Sequence, residues 1–215
     1  SDLAHHRLHE SPDAVAGREY LTKRGLLPST WSAFMLGFVP AASLPGTSGK
    51  QKAPAISIPW VVGGRFVAIR YRFLETHTYT DDDSEERTTK QTALPGSDFS
   101  CKLYGGHALT TGFESKKTIV LCEGEINCMS IWQASQGTFL ETLSFGSEGT
   151  AITPTIKSRV VQYAHQIAWL DRREFVHARM AILPGAYGMQ SPNGLDANDL
   201  LQSGQLSAVL AEIRF

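Results

Sequence analysis

Cysteine is scarce in this sequence, and the few cysteines present form no recognisable framework. Three occur in 215 residues, Cys101, Cys122 and Cys128, and no two of them have the Cys-x-x-Cys spacing. An odd number of cysteines without paired spacing argues against a disulfide scaffold and against a structural zinc site. The cysteine content therefore predicts a protein of a reducing, cytoplasmic compartment.

Long apolar runs, a signal-peptide pattern and a strong net charge are also missing. No stretch of 18 apolar residues occurs, so no membrane-spanning helix is predicted. The N-terminal residues lack a basic start followed by an apolar segment, and no phosphate-binding Gly-x-x-x-x-Gly-Lys-Ser/Thr motif is present. The net charge of −1 neither demands nor excludes a nucleic-acid partner, because such binding depends on local charge. These absences argue against a membrane span and a P-loop motor, whereas 42% hydrophobic residues are ample for a core.

The first half of the chain changes between helical and β-rich patterns. Residues 13–36 have a helical pattern with a turn at Gly25, and residues 41–54 have the composition of a loop. Two β-rich runs then flank Gly63-Gly64, which predicts a hairpin. The polar, acid-rich residues 75–92 predict an exposed loop. These patterns indicate a small α+β region.

The second half alternates strands with helices, after a change of composition near residues 110–117. Such alternation predicts β-α-β units and a mainly parallel sheet with flanking helices. We place a boundary here and expect two domains, 1–112 and 113–215. The elements predicted from the pattern are strands at 118–122, 138–144, 166–171 and 179–183, and helices after 123 and at 155–165.

Two acidic residues each follow a predicted buried strand, since Glu123 comes after TIVLC and Asp171 after QIAWL. Ligands of open α/β sheets bind beyond the carboxyl ends of the strands, so the two carboxylates converge if their strands are neighbours. Mg²⁺ or Mn²⁺ relieves the repulsion between two such acids, and Mg²⁺ takes one or two protein carboxylates plus substrate phosphates. Each acid alone is also typical of a helix cap or first helical turn, so both interpretations stay open.

Three motifs in this order resemble the Toprim domain, the metal-binding fold of bacterial-type primases, topoisomerases and some nucleases. EGEIN (123–127) resembles its first motif, with Asn127 where primases usually carry Asp. LSFGSEG (143–149) and LDANDLL (195–201) resemble the primase segments after the second strand and at the end of the domain. The resemblance implies that Glu123 and an Asp at a later strand end bind the metal.

The N-terminal half resembles the matching part of bacterial and phage-type DNA primases. The similar segments are residues 19–40, 56–75 and 90–109. The resemblance implies the catalytic core of a primase, which synthesises RNA primers on a single-stranded DNA template from ribonucleoside triphosphates with Mg²⁺ or Mn²⁺. It also implies a replicative helicase as partner, or a helicase domain outside this chain. The basic residues expected to hold phosphates and template are Arg70, Arg72, Lys90, Lys102, Arg172 and Arg173.

The resemblance breaks at one catalytic motif, because Asp171-Arg172-Arg173 stands where the family has Asp-x-Asp. We expect Glu123 and Asp171 to be catalytic and to bind metal together with Glu174; the other acids that could compensate for the missing Asp are Glu125 and Asp199. Only about a dozen residues separate Asp171 from Pro184, so the family's next helix is expected to be very short or missing.

Two other functions therefore stay open. A Toprim module whose metal site has degenerated would bind single-stranded nucleic acid without catalysis, and Arg173 favours that interpretation. A Toprim nuclease would cleave a strand instead of synthesising one, although the primase-like N-terminal half argues against it. Primer synthesis, metal-independent binding and strand cleavage are the activities that distinguish the three.

Overall fold

The computed structural model forms two compact units whose division does not follow a single cut in the chain. The first unit runs from the N-terminus to Lys23 and from Leu27 to Asp98; the second holds Arg24–Leu26 and the chain from Phe99 onward. No helix among the described residues is long and apolar enough to cross a membrane. The residues that the structure describes are 2–109, 118–147, 149–183, 185–190 and 192–213.

The expected boundary between residues 112 and 113 lies outside the described residues, because it falls within 110–117. Among the described residues, the first unit ends at Asp98. The segment from Phe99 to Leu109 therefore belongs to the second unit, where it contributes the buried Leu103 and Tyr104.

The first unit is a four-stranded antiparallel sheet in the order β1-β2-β3-β4 with three short helices. Helix α2 packs closely on the sheet at Gly17, where an added Cβ would lie 2.7 Å from the Phe38 ring. The opposite face carries a second apolar cluster that includes Ala55, Phe73 and Tyr79. The elements are α1 (Asp2–Glu10), α2 (Val15–Lys23), α3 (Pro28–Ala33), β1 (Gly37–Ser43), β2 (Lys52–Val62), β3 (Arg65–Thr80) and β4 (Glu86–Ala93).

Glycine chemistry predicted the central hairpin correctly, but one of the two predicted loops is largely strand. Gly63 and Gly64 both have positive φ, 57° and 75°, as a two-residue turn between twisted strands requires. Residues 41–54 include the end of β1 and the start of β2, and residues 75–92 form most of a second hairpin. The second prediction failed because the strands β3 and β4 are polar and mostly exposed beyond Leu74, so no apolar alternation marks them. Cross-strand threonines pair there instead, with the Thr78 and Thr88 hydroxyl oxygens 3.3 Å apart.

The second unit has the predicted α/β architecture, a parallel sheet in the strand order β6-β5-β7-β8. Its strands β5, β6 and β7 are almost completely buried, as strands covered on both faces should be. The elements are β5 (Thr118–Cys122), α4 (Glu125–Ala134), β6 (Leu140–Ser144), α5 (Pro154–Val160), β7 (His165–Trp169), α6 (Arg173–Ile182), β8 (Tyr187–Met189), α7 (Ala197–Gln202) and α8 (Leu206–Ala211).

The helix expected to be very short or missing after Asp171 is present, so that prediction was wrong. Helix α6 has ten residues, and the predicted strand at 179–183 is its C-terminal part. Val176, Arg179 and Leu183 are buried at spacings of three and four, which is the period of a helix. The apolar run near residue 180 was wrongly predicted as a strand, because a short run of this kind does not distinguish a strand from a buried helical turn.

Candidate active site at the carboxyl edge of the parallel sheet

The two acids singled out in the sequence follow neighbouring strands. Strand β5 pairs in parallel with β7, and Cys122 lies opposite Trp169 in the register. Glu123 comes directly after Cys122, and Asp171 comes two residues after Trp169. Neighbouring strands lie about 4.8 Å apart, so both residues are at the same edge of the sheet. The two strands are therefore neighbours, as the prediction required. The role of Glu123 and Asp171 as metal ligands stays a prediction.

The backbone of Glu123 is held by the strand on its other side. The Ser144 hydroxyl, at the end of β6, donates a hydrogen bond to the Glu123 carbonyl oxygen over 2.6 Å. The Gly146 N–H donates to the same hydroxyl oxygen over 2.9 Å, and the Phe145 N–H donates to the Cys122 carbonyl over 3.0 Å. Ser144 is completely buried. These bonds fix where the half-buried Glu123 leaves the strand.

Gly124 leaves the space beside Glu123 open. Its φ of −111° and ψ of 165° are extended values that any residue adopts, so the backbone conformation does not require a glycine here. A Cβ added at Gly124 would meet no heavy atom within 4 Å. The absence of a side chain at Gly124 therefore leaves room for a ligand to approach the backbone at this edge of the sheet.

Asp171 occupies a different environment from Glu123. It is exposed, and it follows Leu170, which is buried in the apolar core of the second unit. The N-cap of α6 is Arg172, one residue further on, and no side-chain cap hydrogen bond is made there. Asp171 therefore lies one residue before the N-cap of α6.

The other acids do not complete a metal cage. Glu174 is exposed, and its carboxylate lies 3.9 Å from the Arg172 guanidinium. The Asp199 side chain forms a capping box with Asp196 at the start of α7. Glu125 is buried in the first turn of α4. Across the described parts of the chain, no three His, Cys, Asp or Glu side chains gather as a metal group, so the expected set of Glu123, Asp171 and Glu174 is not assembled.

Nucleophilic chemistry at this edge has no support from the buried thiol or phenol beside it. Burial raises the pKa of the Cys122 thiol well above its usual value, and the neighbouring Cys128 raises it further. Burial likewise raises the pKa of Tyr104, whose backbone forms a two-bond bridge with Ser144. Both groups stay protonated at neutral pH, so they serve packing rather than attack.

Three of the predicted basic residues lie on the sheet of the first unit. Arg70 and Arg72 point to one face of β3, as their alternation predicts. The Arg70 guanidinium lies 6.0 Å from the centre of the Trp60 ring, and the Arg72 Nε donates to the Tyr20 hydroxyl over 3.4 Å. Lys90 is exposed on the edge strand β4. Their role in binding phosphate stays a prediction.

The other three predicted basic residues belong to the second unit. The Lys102 Nζ donates to the Ser100 carbonyl over 3.0 Å. Arg172 stacks its guanidinium 4.2 Å from the centre of the Phe175 ring, whereas Arg173, the first residue of α6, is exposed. Arg172 is thus engaged with its own helix, and Arg173 is the more available cation.

The closing motif LDANDLL has a structural role that the sequence did not reveal. Asn198 is completely buried, and its amide nitrogen donates to the Arg24 carbonyl over 2.8 Å and to the Ser130 hydroxyl over 3.0 Å. Its backbone N–H donates to the Asn127 side-chain oxygen over 3.2 Å. Asn127, where primases usually have Asp, therefore helps to fasten α7 to α4. Neither this network nor the Ser144 hydroxyl could be found without the long-range contacts.

Comparison with known proteins finds the fold but no close relative. No family model matches the sequence, and no curated protein matches it. Among solved structures, the E. coli primase catalytic core is similar with a TM-score of 0.69 and 18% identity over 98% of this chain and 75% of that one. The RNA polymerase domain of Mycobacterium tuberculosis primase DnaG gives 0.69 and 19%, over 98% and 78%. A DnaG primase catalytic domain bound to single-stranded DNA gives 0.71 and 18%, over 98% and 74%. The chain thus has the fold of primase catalytic cores.

Proposed function

We propose that this chain is the catalytic core of a DNA primase, which synthesises short RNA primers on single-stranded DNA by metal-dependent nucleotidyl transfer. The observation that carries the proposal is the placement of Glu123 and Asp171 at the ends of neighbouring parallel strands. The fold shared with primase cores supports it, because the same sheet edge is where an open α/β sheet binds its ligand.

The donor set at this edge fits one hard cation. Two carboxylates, with open space at Gly124, match the way in which Mg²⁺ takes one or two protein carboxylates and fills its other positions with water and substrate phosphate. When bound, such an ion neutralises charge on the phosphates during transfer. Glu123 and Asp171 would hold it, and Ser144 keeps the Glu123 backbone in place. Since no third acid joins them where the structure is described, the residues favour one protein-held ion over two.

Template and nucleotide binding would fall to the basic residues. One similar structure is a primase catalytic domain bound to single-stranded DNA. Backbone charge is one of the usual means of holding a single strand, and the partly exposed Arg70 would supply such charge. The Trp60 ring beside it is buried and is not available for base stacking. Arg72, Lys90 and Lys102 would add charge. Ribonucleoside triphosphates would be the substrates, a replicative helicase the partner, and the cytoplasm the location.

A non-catalytic module that binds single strands is the second candidate, and Arg173 is the observation that favours it. A cation at the first position of α6, close along the chain to Asp171, lowers the attraction of this edge for a metal ion. If catalysis has been lost, binding of single-stranded nucleic acid would persist without metal.

Primer synthesis from labelled ribonucleotides on single-stranded DNA tests the proposal directly. We expect products that require Mg²⁺ or Mn²⁺ and that disappear in the Glu123→Gln variant, which keeps the size of the side chain but removes its charge. Glu85→Gln, an exposed acid in the first unit, is the matched control and should leave synthesis unchanged. Binding without synthesis would favour the second candidate, and strand cleavage would indicate a Toprim nuclease.

A further inference from the structure

A cleft in the second unit lies between α6 and the edge strand β8. It has a volume of about 350 Å³. Its base depends on Gly188, because a Cβ there would lie 2.7 Å from both a Val176 methyl group and the Met180 sulfur. The helix therefore approaches the strand more closely than any other residue would allow. The residues that line the cleft are Arg173, Val176, His177, Met180, Gly188 and Gln190.

The polar groups of this cleft favour an anion. Arg173 and His177 are four residues apart on α6, so they lie one above the other on the same face of the helix. Gln190 follows the carboxyl end of β8 and adds an amide that donates hydrogen bonds. No carboxylate is among the lining residues. Within the described parts of the chain, neither Arg173 nor His177 has an ion-pair partner.

The cleft is also at the functional edge of the sheet. Met189 pairs with Trp169 in the parallel register, so Gln190 and the start of α6 both lie at the carboxyl edge, where Asp171 is found. A guanidinium and an imidazole, backed by apolar groups of Val176 and Met180, suit a phosphate attached to a sugar and a base.

We propose that this cleft is a phosphate-binding subsite in which Arg173 and His177 bind a phosphate group of a nucleotide or of a nucleic-acid strand. The inference rests on the proposed function, since it says where that function's substrates would be held. It also gives Arg173 a role: the residue that stands in place of a metal-binding acid binds the phosphate directly.

Binding measurements without metal separate this inference from primer synthesis. Fluorescein-labelled single-stranded DNA, followed by anisotropy over a salt series, and ATP, followed by calorimetry, are the two probes. The variants are Arg173→Ala, His177→Ala and the charge-preserving Arg173→Lys. Arg159→Ala is the matched control, because the last turn of α5 leads into β7 and so lies at the opposite edge of the sheet.

We expect Arg173→Ala to weaken binding of one probe or both about tenfold, the size of one charge-assisted hydrogen bond, and His177→Ala about threefold. If the strand backbone is the ligand, the salt slope for DNA falls by about 0.7, the value of one phosphate contact on a single strand. A loss confined to ATP assigns the subsite to the triphosphate. Arg173→Lys should retain most of the binding.

Unchanged binding of both probes in Arg173→Ala and His177→Ala, with thermal unfolding like that of the parent, would overturn the inference. The same measurements in a Glu123→Gln background keep the two proposals distinct. Loss of primer synthesis with an intact effect of Arg173 on binding would leave the subsite standing, whereas intact synthesis with binding unchanged in the Arg173 and His177 variants would remove the subsite and leave the primase proposal.

Discussion

The ends of strands β5 and β7 carry one acid each, yet the surroundings of the two acids differ. Glu123 is half-buried, and its carbonyl is held by the completely buried Ser144 of the next strand. Asp171 is exposed and is followed by two arginines. The first end is therefore held by a buried side chain of the next strand, whereas the second is exposed and carries the altered motif. A metal ion at this edge should depend on the two acids unequally.

The largest expected effect comes from neutralising each acid in turn. Glu123→Gln should lower primer synthesis by about 100-fold or more, which is typical for loss of one group that stabilises charge in a transition state. Asp171→Asn should cost only about tenfold, because an exposed ligand is more easily replaced by water. Synthesis rates and Mn²⁺ binding by electron paramagnetic resonance measure both.

Equal losses in the two variants would contradict the difference between the strand ends. A greater loss in Asp171→Asn would reverse it, and would make the β7 end the main holder of the ion.

Removing the Ser144 hydroxyl tests whether this group holds the end of β5 in place. Ser144→Ala leaves the Glu123 carbonyl and the Gly146 N–H without this buried partner, so the free energy of unfolding should fall by about 1–3 kcal/mol. Urea unfolding measures the change, and Mn²⁺ affinity should fall with it.

Ser158→Ala is the matched control, since this exposed serine bonds only within its own helical turn, to the Thr155 carbonyl. It should change the free energy of unfolding by less than about 0.5 kcal/mol. Similar losses at Ser144 and Ser158 would show that the hydroxyl does not fix the strand end.

Arg173→Asp introduces the Asp-x-Asp pattern of the Toprim motif that the sequence resembles, and so makes the two strand ends more alike. Loss of the positive charge and gain of a negative one should together raise Mn²⁺ affinity by at least about tenfold at low salt, since one nearby unit charge at a protein surface already has an effect of about that size. Arg159→Asp changes the net charge equally at the opposite edge and should leave the affinity unchanged. No difference between the two variants would mean that position 173 does not face the ion.

The smallest effect is expected from thiol chemistry. Burial raises the pKa of Cys122, so this thiol stays protonated at pH 8.5 and does not react, whereas the exposed Cys101 does. Mass spectrometry after iodoacetamide treatment should find label at Cys101 and none at Cys122, with primer synthesis unchanged. Rapid labelling of Cys122 in the folded protein would show that the end of β5 opens and is not held in place by Ser144.

Local chemistry predicted part of this fold well. The Gly63-Gly64 turn and the strands that precede Glu123 and Asp171 could be identified from residue patterns, because turn conformation and burial leave short-range signals. The adjacency of those strands was an assumption that the structure bears out. The α/β architecture followed from the alternation of elements.

Elsewhere the residue patterns were less informative, for three different reasons. Part of helix α6 was predicted as a strand. The burial of Val176 and Leu183 at helical spacing can be recognised only when the sheet that covers them is known. The polar hairpin beyond Leu74 has no apolar alternation to reveal it. Asp199 was a candidate ligand from its place in a motif, whereas its partner is the neighbouring Asp196. Hydrogen-bond assignments of this kind require coordinates.

The hydrogen bond from Asn198 to the Arg24 carbonyl joins residues 174 positions apart, and it ties α7 to a segment of the second unit that lies far earlier in the sequence. A fragment that begins at Phe99 would lack that segment, and the buried amide of Asn198 would lose an acceptor. Loop closure of this length is entropically costly and slow. A nascent chain should therefore complete the packing of α7 on α4 only after both of these distant segments have been synthesised.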